Sequence, residues 1–153
     1  PRNLGAIART AEAVGAGGLI VPERRAAGIT ATAMKASAGA LSYLPVAQVV
    51  NLARALKALK DAGCWLVGLD AISPTFYTEV DYRGPLAVIL GHEGEGIRNL
   101  TLKACDFRVR IPMLGRIDSL NVSVAAGVVL YEALRQRRAI PQGRGLDAGM
   151  SHL

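Results

Sequence analysis

A chain of 153 residues, 51% apolar and 20% charged, carries the balance of one soluble globular domain with a sizeable core. The formal net charge of +6 and a sequence pI near 9.8 favour a polyanionic partner. Two cysteines, Cys64 and Cys105, exclude a disulfide framework, and neither stands in a metal-ligand spacing; no apolar run is long enough to span a bilayer and no signal peptide is visible, so a cytosolic setting fits best.

The chain opens without a methionine and is read as part of a longer polypeptide. Asn3 caps a predicted helix whose apolar positions Leu4, Ile7, Ala8, Ala11 and Val14 recur at helical spacing, with Gly15 as its stop. Gly18 to Val21 reads as a short buried strand ended by Pro22. From Glu23 to Gly39 the composition of Ala, Gly and Thr reads as a loop followed by a short helix, and Pro45 to Val50 as a second strand. Asn51 caps a helix with the stripe Leu52, Leu56 and Leu59, which stops at Gly63. Trp65 to Leu69 and Leu86 to Leu90 are predicted strands, the second running into a polar, glycine-rich loop from Gly91 to Gly96. A short helix over Asn99 to Ala104, a strand over Phe107 to Ile111 and a long final helix over Val122 to Arg138 complete the domain. In that last helix Ala125, Ala126 and Gly127 permit close approach of another backbone. Residues 139–153, with Pro141 and several glycines, read as a loosely ordered tail. Strands alternating with helices predict an α/β fold, a mostly parallel sheet with helices on both faces, in one domain over 1–138.

Several common motifs are absent. The first strand leads into "VPERRAAG", which lacks the dinucleotide fingerprint, and no Gly-Lys-Ser/Thr exists for a P-loop. "HEGEG" has no second histidine to make a zinc motif, and "KASAGA" around Ser37 is half of a nucleophile elbow. Three segments remain: "NLGAIAR" (Asn3 to Arg9), "LGHEGEGI" (Leu90 to Ile97) and "RIPMLGRIDSLNVSVAAG" (Arg110 to Gly127). Each sets polar residues at a strand end or helix start, where open α/β sheets bind ligands. Glycines after Leu90 let a ligand approach the backbone. Taken alone, Glu93 reads as a solvated residue of a strand-to-helix turn. Ser119 and Asn121 read equally well as helix caps or as catalytic groups.

As a set the three segments resemble motifs 1, 2 and 3 of the SpoU-type (TrmH-like) branch of the SPOUT RNA methyltransferases, in order and spacing from Pro1 to about Arg138. "KASAGA", from Lys35 to Ala40, resembles the branch that methylates ribosomal RNA at guanosine 2′-oxygens. The resemblance implies a C-terminal deep trefoil knot, a homodimer, and methyl transfer from S-adenosylmethionine to a ribose 2′-hydroxyl in RNA, with 23S ribosomal RNA as the expected substrate. It implies catalytic roles for Asn3, Arg9, Glu93, Ser119 and Asn121. Cofactor contacts, largely through backbone, fall on Leu90, Gly91, Ile111, Met113 and Leu120. No metal is implied. Members of the family usually have a strand just before motif 1, and many carry a small N-terminal RNA-binding domain. This chain begins inside motif 1, so one sheet element is expected to be missing.

A ribose hydroxyl is a poor nucleophile at neutral pH, so the residues must align it and favour loss of its proton. An arginine with a pKa above about 12 suits the role of a cation that binds a phosphate or hydroxyl and favours the alkoxide. That is the expectation for Arg9, with Glu93 and Asn121 holding Arg9 and the ribose in place. Three alternatives stand beside this reading: a non-catalytic RNA-binding or ribosome-assembly protein on the same scaffold, methylation of transfer RNA, and base methylation by another SPOUT branch. The last is opposed by "SLNVS" at Ser119 to Ser123.

Overall fold

The computed structural model describes residues 2–23, 31–91 and 96–139. The N-terminal stripe forms α1 (Arg2–Ala13), burying Gly5, Ala8 and Ala11. The helix starts at Arg2, so Asn3 lies inside it and does not cap it. Gly15 ends it as expected: at φ 78° it lets its own amide donate to the Glu12 carbonyl while the Ala16 amide donates to that of Ala11.

β1 (Leu19–Pro22) pairs in parallel with β2 (Val46–Val49), Leu19 opposite Val46 and Pro22 opposite Val49. Pro22 therefore belongs to the strand as its last residue, where a missing donor costs least. Between these strands lie α2 (Ala31–Ala36) and a single 3₁₀ turn (Ala40–Ser42). "KASAGA" is the hinge of this connection. Ser37 is wholly buried, its hydroxyl donating to the Met34 carbonyl at 2.7 Å and accepting from the Leu41 amide at 3.4 Å. Ala38 and Gly39 take left-handed conformations, at φ 52° and 86°, to reverse the chain. This turn supports α1.

The second half of the chain forms α3 (Leu52–Asp61), β3 (Trp65–Leu69), β4 (Leu86–Ile89), α4 (Asn99–Ala104), β5 (Phe107–Val109) and α5 (Val122–Arg138). Asn51 caps α3 as predicted, accepting from the Arg54 amide at 3.1 Å. The strands run parallel in the order β4-β3-β5. Neighbouring residues of β3 point to opposite faces: Leu66 joins Leu56 of α3 and Ile89, whereas Val67 joins Val109, Tyr82 and Val129 of α5. Helices thus cover both faces of this sheet. A third cluster, Ala8, Ala11 and Leu44, seats α1.

The single sheet expected from the alternating pattern is instead two, β1-β2 and β4-β3-β5. Among the described residues β1 is hydrogen-bonded only to β2 and β4 only to β3, and both line one broad cleft of about 1460 Å³. Every pairing is parallel, so the difference lies in which edges meet. α5 packs against α1, with Ala126 buried and Gly127 facing Thr10 of α1. Its C-terminal half is strapped to the loop before β4. Gln136 accepts from the Tyr82 amide at 2.8 Å and donates to the Val80 carbonyl at 2.9 Å, and Arg137 donates to the carbonyls of Tyr82 and Gly84. The tail expected over 139–153 lies outside the described residues beyond Ala139.

Candidate active site

The start of α5 is built around one side chain. Asn121 is its N-cap, and its Oδ1 accepts from the amides of Ser123 at 2.9 Å and Val124 at 3.4 Å and from the Ser123 hydroxyl. An oxygen is required on that side, which turns Nδ2 outward. Nδ2 donates to Oδ1 of Asn3 at 3.2 Å, across 118 positions of sequence. Of the two readings of Asn121, the cap is met, and the same amide also reaches Asn3. Asn3 is half-buried and Asn121 exposed.

Leu90 and Gly91, just past β4, line the same cleft as Asn3 and Asn121. A side chain at Gly91 would lie 2.5 Å from the Gly96 carbonyl carbon and 2.7 Å from the Ile97 nitrogen. The glycine is thus demanded by the backbone of Gly96 and Ile97 beside it, a tighter constraint than the ligand approach expected from sequence. Ile111 and Met113, just past β5, line a separate cavity of about 230 Å³ with Arg110, Arg116, Asp118 and Ala71. Ser119 and Leu120 are exposed in the loop leading to α5 and line neither cavity.

Arg9 is exposed on α1 and also lines neither cavity. Six residues past Asn3, it is about 120° around the helix and about 9 Å along it. Glu93 lies outside the described residues. The structure therefore gathers Asn3, Asn121, Leu90 and Gly91 at one cleft and Ile111 and Met113 at a second, and leaves Arg9, Ser119 and Leu120 apart from both.

Two residues went unread in the sequence. Gly5 lets α1 settle on α2: a side chain there would lie 2.5 Å from the Ala33 carbonyl oxygen. A glycine inside an amphipathic helix was the available signal. Arg110 has a buried Nε with no hydrogen-bond partner among the described residues, and its guanidinium carbon sits 4.8 Å from the Phe76 ring centroid. Nothing in the local sequence marks it.

The smaller cavity opens where β3 and β5 end, the position at which such sheets take ligands, while the larger cleft runs along β1 and β4. Their lining combines backbone at tight turns, aliphatic side chains and a buried cationic donor. That donor set fits an organic ligand with an apolar body and a charged end. Among the described residues no three His, Cys, Asp or Glu side chains gather as a metal site needs, and no helix is long and apolar enough to cross a membrane.

Residues 1–131 match the SpoU rRNA Methylase family. The chain is 54% identical over 137 residues to an uncharacterized tRNA/rRNA methyltransferase of Synechocystis, covering 90% of this chain and 36% of that protein. It is 49% identical over 140 residues to the 23S rRNA (guanosine-2′-O-)-methyltransferase RlmB of Photobacterium profundum, covering 90% and 56%. It superposes on the SpoU methyltransferase AviRb from Streptomyces viridochromogenes, in complex with the cofactor AdoMet, with a TM-score of 0.82 at 37% identity, over 90% of this chain and 56% of that one. For the A. aeolicus TrmH/SpoU tRNA modifying enzyme the TM-score is 0.79 at 33% identity, over 90% and 70%. The chain spans 36–56% of the length of the two curated relatives. By sequence along most of its length and by fold, the chain belongs to the SpoU rRNA methylase family.

Proposed function

We propose that residues 1–138 form the catalytic domain of an S-adenosylmethionine-dependent RNA 2′-O-ribose methyltransferase that works as a homodimer on ribosomal RNA, 23S foremost. The observation that carries this reading is the Asn121–Asn3 hydrogen bond, which joins the first and third motifs beside Leu90 and Gly91. The family's methyl donor, when bound, supplies a sulfonium methyl that is already electrophilic. The chain's own residues bind, orient and exclude water. Backbone at Leu90, Gly91, Ile111, Met113 and Leu120 would hold the donor, and the two asparagine amides would orient the ribose. Arg9 would bind the target phosphate or hydroxyl and favour the alkoxide by charge, with Glu93 and Ser119 as its supports.

Arg9 is turned away from Asn3, so on this reading it serves the site of a second copy. The exposed apolar stripe of Leu120 (39%), Val124 (52%) and Tyr131 (51%) at and along α5 supports a two-fold contact there. The knot implied by the resemblance would involve the segment from β5 to α5. A formal net charge of +6 suits an RNA partner. Methylation of transfer RNA is the second reading, favoured by the likeness to the A. aeolicus tRNA modifying enzyme.

The test is methyl transfer by the full-length protein to 23S ribosomal RNA and to transfer RNA, with the 2′-O-methyl positions mapped. Arg9→Ala is expected to keep the fold and donor binding and to lose most turnover. Near-normal transfer by that variant would refute the role of Arg9. A monomeric mass in sedimentation with the donor present would refute the dimer.

A further inference from the structure

The end of the sheet away from the candidate active site carries an exposed aromatic pair. β3 and β5 run parallel, so their first residues, Trp65 and Phe107, lie at one end. Side chains alternate along a strand, so Trp65 shares a face with Val67 and Phe107 with Val109, the face that α5 covers. The cover stops short of them. Val129 and Ala133 of α5 join that cluster, and beyond them Gln136 and Arg137 tie the helix to Val80, Tyr82 and Gly84, before β4. Trp65 is left 54% exposed and Phe107 38%, with ring centroids 5.7 Å apart and planes inclined at 41°. An indole half open to water is unusual in a parallel sheet, whose strands are ordinarily covered on both faces.

The charges around the pair are one-sided. Asp61, Asp81, Asp106 and Glu132 at this end are each already in an ion pair, with Lys57, Arg83, Lys60 and Arg135. Arg108, next to Phe107, and Arg137 and Arg138, in the last turn of α5, are exposed and form no ion pair among the described residues. Arg137 reaches this end through its bond to the Gly84 carbonyl, and the next carbonyl, that of Pro85, accepts from the Trp65 amide at 3.0 Å. An apolar protein partner would leave these cations unmatched. A nucleic-acid duplex would match them but keeps its base faces stacked inside. A single strand offers both phosphates and open base faces.

We propose that Trp65 and Phe107 form a stacking platform for an unpaired base of the RNA, with Arg108, Arg137 and Arg138 on the neighbouring phosphates. This rests on the reading that the protein acts on RNA, and it adds a contact outside the methyl-transfer site. α5 measures the separation: it starts at Asn121 on the cleft and ends with Arg137 at Gly84, and its 17 residues span about 25 Å. A strand held at both ends of α5 has a fixed register, so the platform helps to set which nucleotide reaches the Asn3–Asn121 pair.

The experiment measures binding of two probes to the full-length protein at one fixed salt concentration: a short single-stranded oligouridylate, whose bases are unpaired, and an RNA duplex of the same length. Trp65→Leu should weaken the oligouridylate about tenfold, near the lower end for loss of one base–aromatic stack, and leave the duplex within about twofold. Trp65→Phe, which keeps a ring, should recover most of the loss. S-adenosylhomocysteine binding, read by calorimetry, should be unchanged in both variants. If Trp65→Leu does not fold by circular dichroism, Phe107→Leu on β5 carries the same comparison. Wild-type affinity of Trp65→Leu for the oligouridylate, or equal losses for both probes, would overturn the proposal. So would unchanged RNA affinity with a changed mass in sedimentation, which would make the pair a contact between protein chains. Wild-type protein that binds neither probe would overturn the RNA reading itself, and this proposal with it.

Discussion

Replacing Gly5 and Gly127 by alanine should change stability in opposite directions, although both glycines lie inside helices. Alanine is ordinarily better than glycine in a helix by about 1 kcal/mol. At Gly127 the new Cβ would meet only Thr10 Cγ2, at 3.9 Å, an ordinary contact. Gly127→Ala should therefore stabilise by up to about 1 kcal/mol. At Gly5 the new Cβ would lie 2.5 Å from the Ala33 carbonyl oxygen, 2.6 Å from Ala36 Cβ and 3.0 Å from the Ser37 nitrogen. Normal contacts between carbon atoms begin at about 3.5 Å, so α1 must withdraw from α2 by roughly 1 Å. Two of the three obstructing atoms are backbone and cannot rotate away. Overpacking of this kind costs about 3 kcal/mol, at the upper end of its usual range, and the helix-propensity gain offsets about 1 of it. The net loss expected is about 2 kcal/mol, which lowers the urea midpoint by about 1 M.

The same displacement reaches the site. Asn3 precedes Gly5 by two residues, and a shift of roughly 1 Å would stretch its 3.2 Å bond to Asn121 past hydrogen-bonding distance. Gly5→Ala should therefore lower turnover as well as stability, and Gly127→Ala should lower neither. Urea titrations of the two variants beside the wild type decide the matter. An unchanged or raised midpoint for Gly5→Ala would refute the claim that α1 is held against α2 at this point.

Asn121→Asp keeps the acceptor for the Ser123 and Val124 amides but loses the donor to Asn3, so stability should hold while methyl transfer falls; Asn121→Ala should also lose about 1 kcal/mol of helix capping, read by the same titration. Hydrogen bonds from Arg135 hold the Glu132 carboxyl below the usual carboxylate range, and those from Arg83 hold Asp81 at about 2. In both cases the unfolded chain takes up the proton first, so the stability they contribute is present above about pH 4 and lost as pH falls through the folded values. Glu132→Gln should flatten the acid side of the stability curve, measured by urea unfolding at stepped pH. Gly91→Val, forced against Gly96 and Ile97, should distort the loop and weaken S-adenosylmethionine binding in calorimetry; unchanged affinity would place that pocket elsewhere.

Local signals carried the fold a long way. The final helix runs from Val122 to Arg138 as its composition predicts, and Asn51 and Asn121 cap their helices because a short polar side chain before an apolar stripe has few other uses. The same rule failed at Asn3, where the helix takes in Arg2 and the Asn3 side chain meets Asn121. The division of the sheet was not legible, since strand character is local but the choice of neighbour is not. Gly91 was legible as a special glycine, but not its cause, because the crowding by the Gly96 backbone is a contact in space that sequence spacing does not show. Arg110 was illegible for a related reason. An arginine just past a short strand looks solvated in sequence, and only the folded chain, with Phe76 under the guanidinium, shows its Nε buried.

One relation between site residues was in the sequence from the start. Six positions on a helix turn Arg9 about 120° away from Asn3, whatever the rest of the chain does. Two groups that serve one ribose from such positions on one short helix need a second helix to bring them together. On the proposed reading a second copy supplies it, Arg9 of one protomer facing the Asn3–Asn121 pair of its partner. Subunit mixing tests this directly. Arg9→Ala and Asn121→Ala dimers should each be nearly inactive. After subunit exchange at equal amounts, half the dimers are mixed, and each mixed dimer has one site with both residues intact, so turnover should recover to about a quarter of the wild-type value. A site contained within one protomer has no intact pair in any of these dimers, and no recovery after verified exchange would refute the shared site.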